Sequence, residues 1–290
     1  MLKIGCHVSA AGGVYNAPKN AHDLGCEVFQ IFTRPPMGGK APELNDVAIG
    51  KFKDEMLHYG YSFSYGFNGN LFVVHTPYFI NFGSKQPRIY HGSISVVAEE
   101  LKRANLLGAG YVMTHLGSGK DLGQTAAVNQ AKEGLKEILK KYDGKSQFLL
   151  EIAAGAGETL GGTFEQLAEL MGPLVKFKTF GGICFDTQHA FASGYDLRDE
   201  EAVLSTFKKF DKVIGLKWLK MSHVNDSKFD LGSHKDRHEH IGDGKIGEKG
   251  FKALLDFFAS KSLDMPLIFE TEHDKVKADI KILKFLRDKN

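Results

Sequence analysis

Apolar and polar positions along the chain resolve into eight short apolar runs separated by longer stretches of helical period. The runs are residues 2–7 (LKIGCH), 28–32 (VFQIF), 71–75 (LFVVH), 111–115 (YVMTH), 148–151 (FLLE), 182–186 (GICFD), 218–223 (WLKMSH) and 266–270 (PLIFE). Their apolar residues are contiguous rather than alternating, as in strands buried on both faces of a parallel sheet. Helical spacing is clearest at residues 93–107, where Ile94, Val97, Leu101 and Ala104 share a face and Gly108 supplies a stop. Further helices are expected at 15–24, 125–141, 163–171, 199–210, 248–260 and 276–288. No Pro/Gly-rich linker, repeat or low-complexity tract interrupts the alternation. The expected fold is α/β, a (β/α)8 TIM barrel forming one domain over residues 1–290.

The ends of the runs carry the chemistry. Runs three to eight finish on His75, His115, Glu151, Asp186, His223 and Glu270. In a barrel these are the C-terminal strand tips, the face on which such enzymes build their active sites. One polar residue there is the ordinary solvated end of a strand. Six in succession, all of metal-ligand type, are not explained that way. His189 follows Asp186 by three residues, so one helical turn aims both at the same cavity. The loop after run seven, dense in His and Asp, adds Asp236 and His238.

These nine side chains are five His, two Asp and two Glu. A zinc site takes three or four protein ligands. With one carboxylate bridging, nine ligands suit three ions better than one or two. The lack of thiolates favours zinc or manganese over iron–sulfur chemistry.

Composition changes the picture little. At 42% hydrophobic and 25% charged residues the chain is ordinary for a soluble globular protein. It shows no apolar stretch of membrane length, and its start, MLKIGCHVSAAGG, is not a signal peptide. Cys6, Cys26 and Cys184 sit in apolar runs without metal-type spacing, and read as reduced, buried thiols of a cytosolic protein. A formal net charge of +2 is low for a nucleic-acid binder. Three bound divalent cations would raise it to about +8, concentrated at one site, so a phosphate-rich substrate is not excluded.

Four segments carry a resemblance: HVSAAGG at 7–13, FDTQHAFASGYD at 185–196, SHVNDSK at 222–228 and DRHEHIGDGKIG at 236–247. They resemble the endonuclease IV family of apurinic/apyrimidinic endonucleases, which are xylose-isomerase-like TIM barrels. The resemblance runs through nearly the whole chain. It implies a monomeric, cytoplasmic DNA-repair enzyme that hydrolyses the backbone of double-stranded DNA 5′ to abasic sites. Such an enzyme leaves a 3′-hydroxyl and also trims blocked 3′ ends, using three zinc ions, with manganese possible at one site. Matched to the family's motifs, one ion falls to His75, His115 and Glu151. A second falls to Glu151 as a bridge with Asp186, His223 and Glu270, and the third to His189, Asp236 and His238. Glu151 and Glu270 take the catalytic roles, setting and orienting the attacking hydroxide. Arg34, Tyr78 and Phe79 match positions that meet DNA.

Two departures from the family pattern stand out. The segment 33–42 (TRPPMGGKAP) lacks the family's Asn and Trp and keeps Arg34 as its one Arg, with Lys40 beside it. Ile152 stands after Glu151, where the family has Asn. His7 is expected to support the site rather than ligate, His234 and His240 to flank it, and His22, His58, His91 and His273 to lie on the surface. The rival reading is a metal-dependent sugar isomerase or epimerase on a related barrel, which needs fewer metals. Another is a catalytically silent, zinc-stabilised DNA-binding protein.

Overall fold

The computed structural model describes residues 2–62 and 72–289, and in it the eight apolar runs form eight parallel strands closed into a ring. They are β1 (Lys3–His7), β2 (Val28–Ile31), β3 (Phe72–His75), β4 (Tyr111–Thr114), β5 (Gln147–Glu151), β6 (Phe180–Asp186), β7 (Leu219–His223) and β8 (Pro266–Phe269). Each pairs with its neighbour in chain order, and β8 closes on β1. Leu71, expected to open the third strand, lies outside the described residues. Every residue of β2, β3, β4 and β8 is buried, which is why these runs show no in–out alternation.

Nine helices are found among the described residues: α1 (Ala17–Leu24), α2 (Asp46–His58), α3 (Pro87–Leu107), α4 (Gln124–Lys141), α5 (Phe164–Met171), α6 (Thr187–Ala192), α7 (Glu200–Val213), α8 (Gly247–Ser260) and α9 (Val276–Asp288). Gly108 ends α3 with φ 87°, the left-handed conformation that glycine adopts without strain. The helix starts at Pro87, six residues before the expected start, because proline suits a first turn. The sequence pattern missed α2, whose buried stripe consists of Phe52 and Met56 alone. The Asn45 side chain fixes its start by accepting the Ala48 N–H at 2.9 Å.

The core has two layers. Between strands and helices lies a continuous apolar shell, while Val73, Met113, Leu149, Cys184, Met221 and Ile268 plug the barrel lumen. Gly5 occupies the matching place on β1, where a Cβ would lie 1.6 Å from the Val28 carbonyl oxygen. The close approach of β1 and β2 therefore requires glycine. Cys6, Cys26 and Cys184 are free and buried. No helix among the described residues is long and apolar enough to cross a membrane.

The segment 33–42 is anchored from below, which corrects the expectation that Arg34 faces DNA. Arg34 is buried, with Nε 2.6 Å from Glu100 Oε1 and Nη2 2.8 Å from Glu99 Oε2, both on α3. The Thr33 hydroxyl donates to Glu100 at 2.6 Å, and Arg103 donates to the carbonyls of Thr33 (2.6 Å) and Pro42 (2.8 Å). Glu100 has no exposed surface, so its charge must be matched by cations, and Arg34 is turned inward to supply one. Met37 (82% exposed) and Lys40 are left on the outer side of the loop. Arg34→Ala is therefore expected to cost roughly 3 kcal/mol of stability in a urea melt, as for a broken buried ion pair. The salt dependence of DNA binding should stay the same. An unchanged melt with a shallower salt slope would restore Arg34 to the DNA surface.

Candidate metal centre

The parallel register brings the strand tips level. Asp186 lies opposite His223 across β6 and β7, and Glu151 lies opposite Cys184 across β5 and β6. His75, Glu151, Asp186 and His223 end their strands, and His115 and Glu270 follow theirs by one residue. Asp186 also caps α6, its side chain accepting the His189 N–H at 2.7 Å, so the helix start swings His189 into the same space. A two-residue antiparallel ladder, Asp226–Ser227 with His238–Glu239, folds the loop after β7 back over the mouth and delivers His238.

Glu151, fully buried, is the centre of the arrangement. Its Oε2 lies 3.3 Å from His75 Nε2 and 3.6 Å from His115 Nε2. Its Oε1 lies 2.8 Å from His223 Nδ1 and 3.5 Å from His189 Nδ1. His223 Nδ1 is also 3.1 Å from Glu270 and 3.7 Å from Asp186. Asp236 Oδ1 is 3.3 Å from His189 Nε2 and 3.6 Å from His238 Nε2. The donor atoms of His75, His115 and Glu151 all lie within 4.8 Å of one another, as do those of Glu151, Asp186, His223 and Glu270. A third such group is Asp186, His189 and His238, and a fourth is Glu151, Cys184 and His223. Asp236 faces the third group from a more exposed position, and Asp186 stands between the second and third groups.

The contacts behind these side chains aim them. His75 Nδ1 meets the Thr76 carbonyl and His189 Nδ1 the Ile152 carbonyl at 3.0 Å. A carbonyl only accepts, so both rings carry their hydrogen on Nδ1 and turn Nε2 toward the carboxylates. Ile152 thus serves through its backbone, while its side chain packs in the core. Asn225 Nδ2 donates to Asp186 at 2.8 Å, and Asn225 Oδ1 accepts the Glu270 N–H at 2.8 Å. Gln30, buried at the mouth, touches Glu270, His7 and His223.

The sequence reading passed over both Asn225 and Gln30. The available signal for Gln30 was a lone amide inside the apolar run VFQIF. Arg237, also passed over, is exposed between Asp236 and His238.

The remaining histidines fall outside the cluster. Burial lowers His7 to about 3 and keeps it neutral. His240 bonds Asp279 at 2.7 Å and tethers the loop to α9. His22, His58, His91, His234 and His273 are exposed.

Carboxylates and imidazoles shift one another's protonation within the cluster. Burial alone would raise Glu151, but His115, His223 and His189 hold it well below the usual carboxylate range. Burial pulls His75 down, yet its contact with Glu151 outweighs this and leaves it above the ordinary imidazole value. His189 is held well above that value against its burial, chiefly by Asp186 and Asp236. Four buried atoms here have no hydrogen-bond partner among the described residues: His75 Nε2, Glu151 Oε2, His189 Nε2 and His238 Nε2. Converging nitrogen and oxygen donors of this kind, orphaned as hydrogen-bonding groups, fit divalent metal ions. A cavity of about 660 Å³ opens above them, lined by Tyr78, Phe79, His115, Arg237, His238 and Glu270 among others. Tyr78 and Phe79 stand on its rim, 56% and 41% exposed, with the Tyr78 ring edge-on to Phe32.

Residues 18–289 match the family of xylose isomerase-like TIM barrels, which fixes the class of the fold. A protein of Halothermothrix orenii named "Probable endonuclease 4" is 37% identical over 292 residues, covering 99% of both chains. The crystal structure of endonuclease IV from Thermus thermophilus superposes with a TM-score of 0.84 at 30% identity, over 99% of this chain and 100% of that one. A D-tagatose 3-epimerase-like protein shares the fold alone, with a TM-score of 0.74 at 20% identity over 99% of each chain. The chain belongs to the endonuclease IV family.

Because His75, His189 and His223 hold protons above the ordinary imidazole range, metal loading must displace them. Zinc binding in a weakly buffered solution is therefore expected to release protons. Zinc affinity should fall as pH drops, beginning above the usual histidine value of about 6.5. Calorimetry in buffers of different ionisation enthalpy measures the proton count. Zinc uptake without proton release would contradict the charge state described.

Proposed function

We propose that this enzyme is a DNA-repair phosphodiesterase that hydrolyses the backbone of double-stranded DNA 5′ to abasic sites, leaving a 3′-hydroxyl, and trims blocked 3′ ends. The observation that carries the reading is Glu151, whose two oxygens face different sets of histidines from the middle of nine converging donors. His75, His115 and Glu151 would hold one zinc, and Glu151, Asp186, His223 and Glu270 a second. His189, Asp236 and His238 would hold the third, with Asp186 alongside and manganese possible at one site. Divalent ions there supply an activated water near neutral pH and neutralise charge on the phosphate and the leaving oxygen.

The chain's own residues do the positioning. Glu151 keeps the first two groups at a fixed separation. Glu270 stands at the mouth, held by Gln30 at 2.6 Å and through its N–H by Asn225, and orients the attacking water. A nucleotide without a base leaves the stack at low cost, and Tyr78 and Phe79 stack on the bases beside the gap. The exposed Lys228, Lys235 and Arg237 flank the metal loop and meet phosphates, which fixes register without reading sequence. A sugar epimerase on this barrel needs fewer metals. The His189–Asp236–His238 group argues for the nuclease. The free, buried cysteines support a reducing compartment, and we place the enzyme in the cytoplasm as a monomer of one domain over residues 1–290.

The direct test is incubation of the zinc-loaded protein with a duplex carrying one abasic analogue. Cleavage 5′ to the analogue and sparing of the intact duplex are expected, and fully metallated protein that leaves both uncut overturns the reading. Glu151→Ala should reduce the incision rate by at least about 10³-fold while abasic-duplex binding persists. Wild-type incision at full metal content would remove Glu151 from its role. His238→Ala should lower the metal content by about one ion and slow incision by about 10²-fold without unfolding the barrel. Unchanged metal count and rate would refute the third group. Tyr78→Ala combined with Phe79→Ala should weaken abasic-duplex binding by roughly 10–100-fold. Lys40→Ala should instead reduce the salt slope by about one. A binding series over salt concentration separates the two, and a larger loss from Lys40→Ala at every salt would show that the rim aromatics do not stack.

A further inference from the structure

We infer that Gln30 is a positioning residue of the metal centre, presenting Nδ1 of His223 to the ion and holding Glu270 beside it. The inference rests on the reading that the cluster binds divalent metal. Gln30 lies in the middle of β2, fully buried, with apolar Phe29 and Ile31 on either side. A buried amide in an apolar strand is unfavourable unless its atoms are satisfied, and here they are. Its Nε2 lies 2.6 Å from Glu270 Oε1 and 3.0 Å from His7 Nδ1, and its Oε1 lies 2.8 Å from His223 Nε2.

The sense of the amide follows from chemistry rather than from its placement. An ionised carboxylate only accepts, so the group 2.6 Å from Glu270 must be the NH2. The oxygen therefore faces His223 and accepts from it, which puts the hydrogen of that ring on Nε2. The lone pair of neutral His223 is then on Nδ1, the atom that faces Glu151 at 2.8 Å, Glu270 at 3.1 Å and Asp186 at 3.7 Å. His75 and His189 are set the opposite way, with backbone carbonyls holding Nδ1–H and Nε2 turned inward. His223 thus depends on one side chain for what the other two receive from the main chain. That side chain reaches it from β2, which pairs with β1 and β3 and not with β7.

The test uses the full chain and zinc alone. In zinc-loaded wild-type protein, two-dimensional ¹H–¹⁵N NMR of the imidazoles should show His223 protonated at Nε2 and metal-bound through Nδ1. Gln30→Leu and the near-isosteric Gln30→Met should each bind one ion roughly 10–100-fold more weakly in competition with a chromophoric chelator, with the other ions unaffected. A merely structural role would lower the melting temperature and leave every zinc affinity unchanged. Unchanged affinities in both variants, or His223 bound through Nε2 in the wild type, overturn the inference. If neither variant folds, the wild-type spectrum decides alone. A wild-type protein that takes up no zinc sinks the metal reading itself. Zinc uptake without incision of an abasic duplex sinks the proposed reaction and leaves the role of Gln30 standing.

Discussion

A carboxylate with no exposed surface, ringed by four imidazoles, is the constraint around which this barrel top is arranged. Burying a lone charge costs several kcal/mol, so Glu151 persists there as an anion only because imidazoles converge on it from the end of β3, the residue after β4, the start of α6 and the end of β7. That convergence needs strand tips at one level. The level follows from the register of the parallel pairs, and the register from the packed lumen beneath. Chemistry at the mouth and packing in the core are thus one problem. Four buried atoms of these residues have no hydrogen-bond partner among the described residues, which leaves them open to metal ions.

Barrel strands were legible because burial on both faces leaves contiguous apolar runs, and their ends were legible because polar residues of one chemical type recur there. Helices with a wide apolar stripe were legible for the same reason. The pattern could not reveal α2, which buries only Phe52 and Met56 and relies on the Asn45 cap. The nine candidate ligands were readable from type and position, but not how they are shared. Asp186, assigned by resemblance to the second group, also lies within reach of His189 and His238.

What escaped the sequence reading was the layer that aims the ligands. Main-chain carbonyls of Thr76 and Ile152 set two imidazoles, and a carbonyl leaves no trace in residue identity. Ile152 therefore serves the site although its side chain is apolar: the orienting atom belongs to the backbone. Arg34 escaped for the converse reason. Its partners, Glu99 and Glu100, lie more than sixty residues away on α3, so nothing local distinguishes it from a surface cation. The buried network it joins ties down the segment 33–42, whose outer side carries Met37 and Lys40.

We propose that the donors around Glu151 would hold three divalent ions, with Glu151 shared between two of the groups. An anomalous-difference map from crystals of the zinc-loaded protein, recorded above and below the zinc edge, tests it most directly. Three zinc peaks are expected at the barrel mouth, with Glu151 touching two of them through different oxygens. One or two peaks at full zinc occupancy, or Glu151 bound to a single ion, would contradict the proposal.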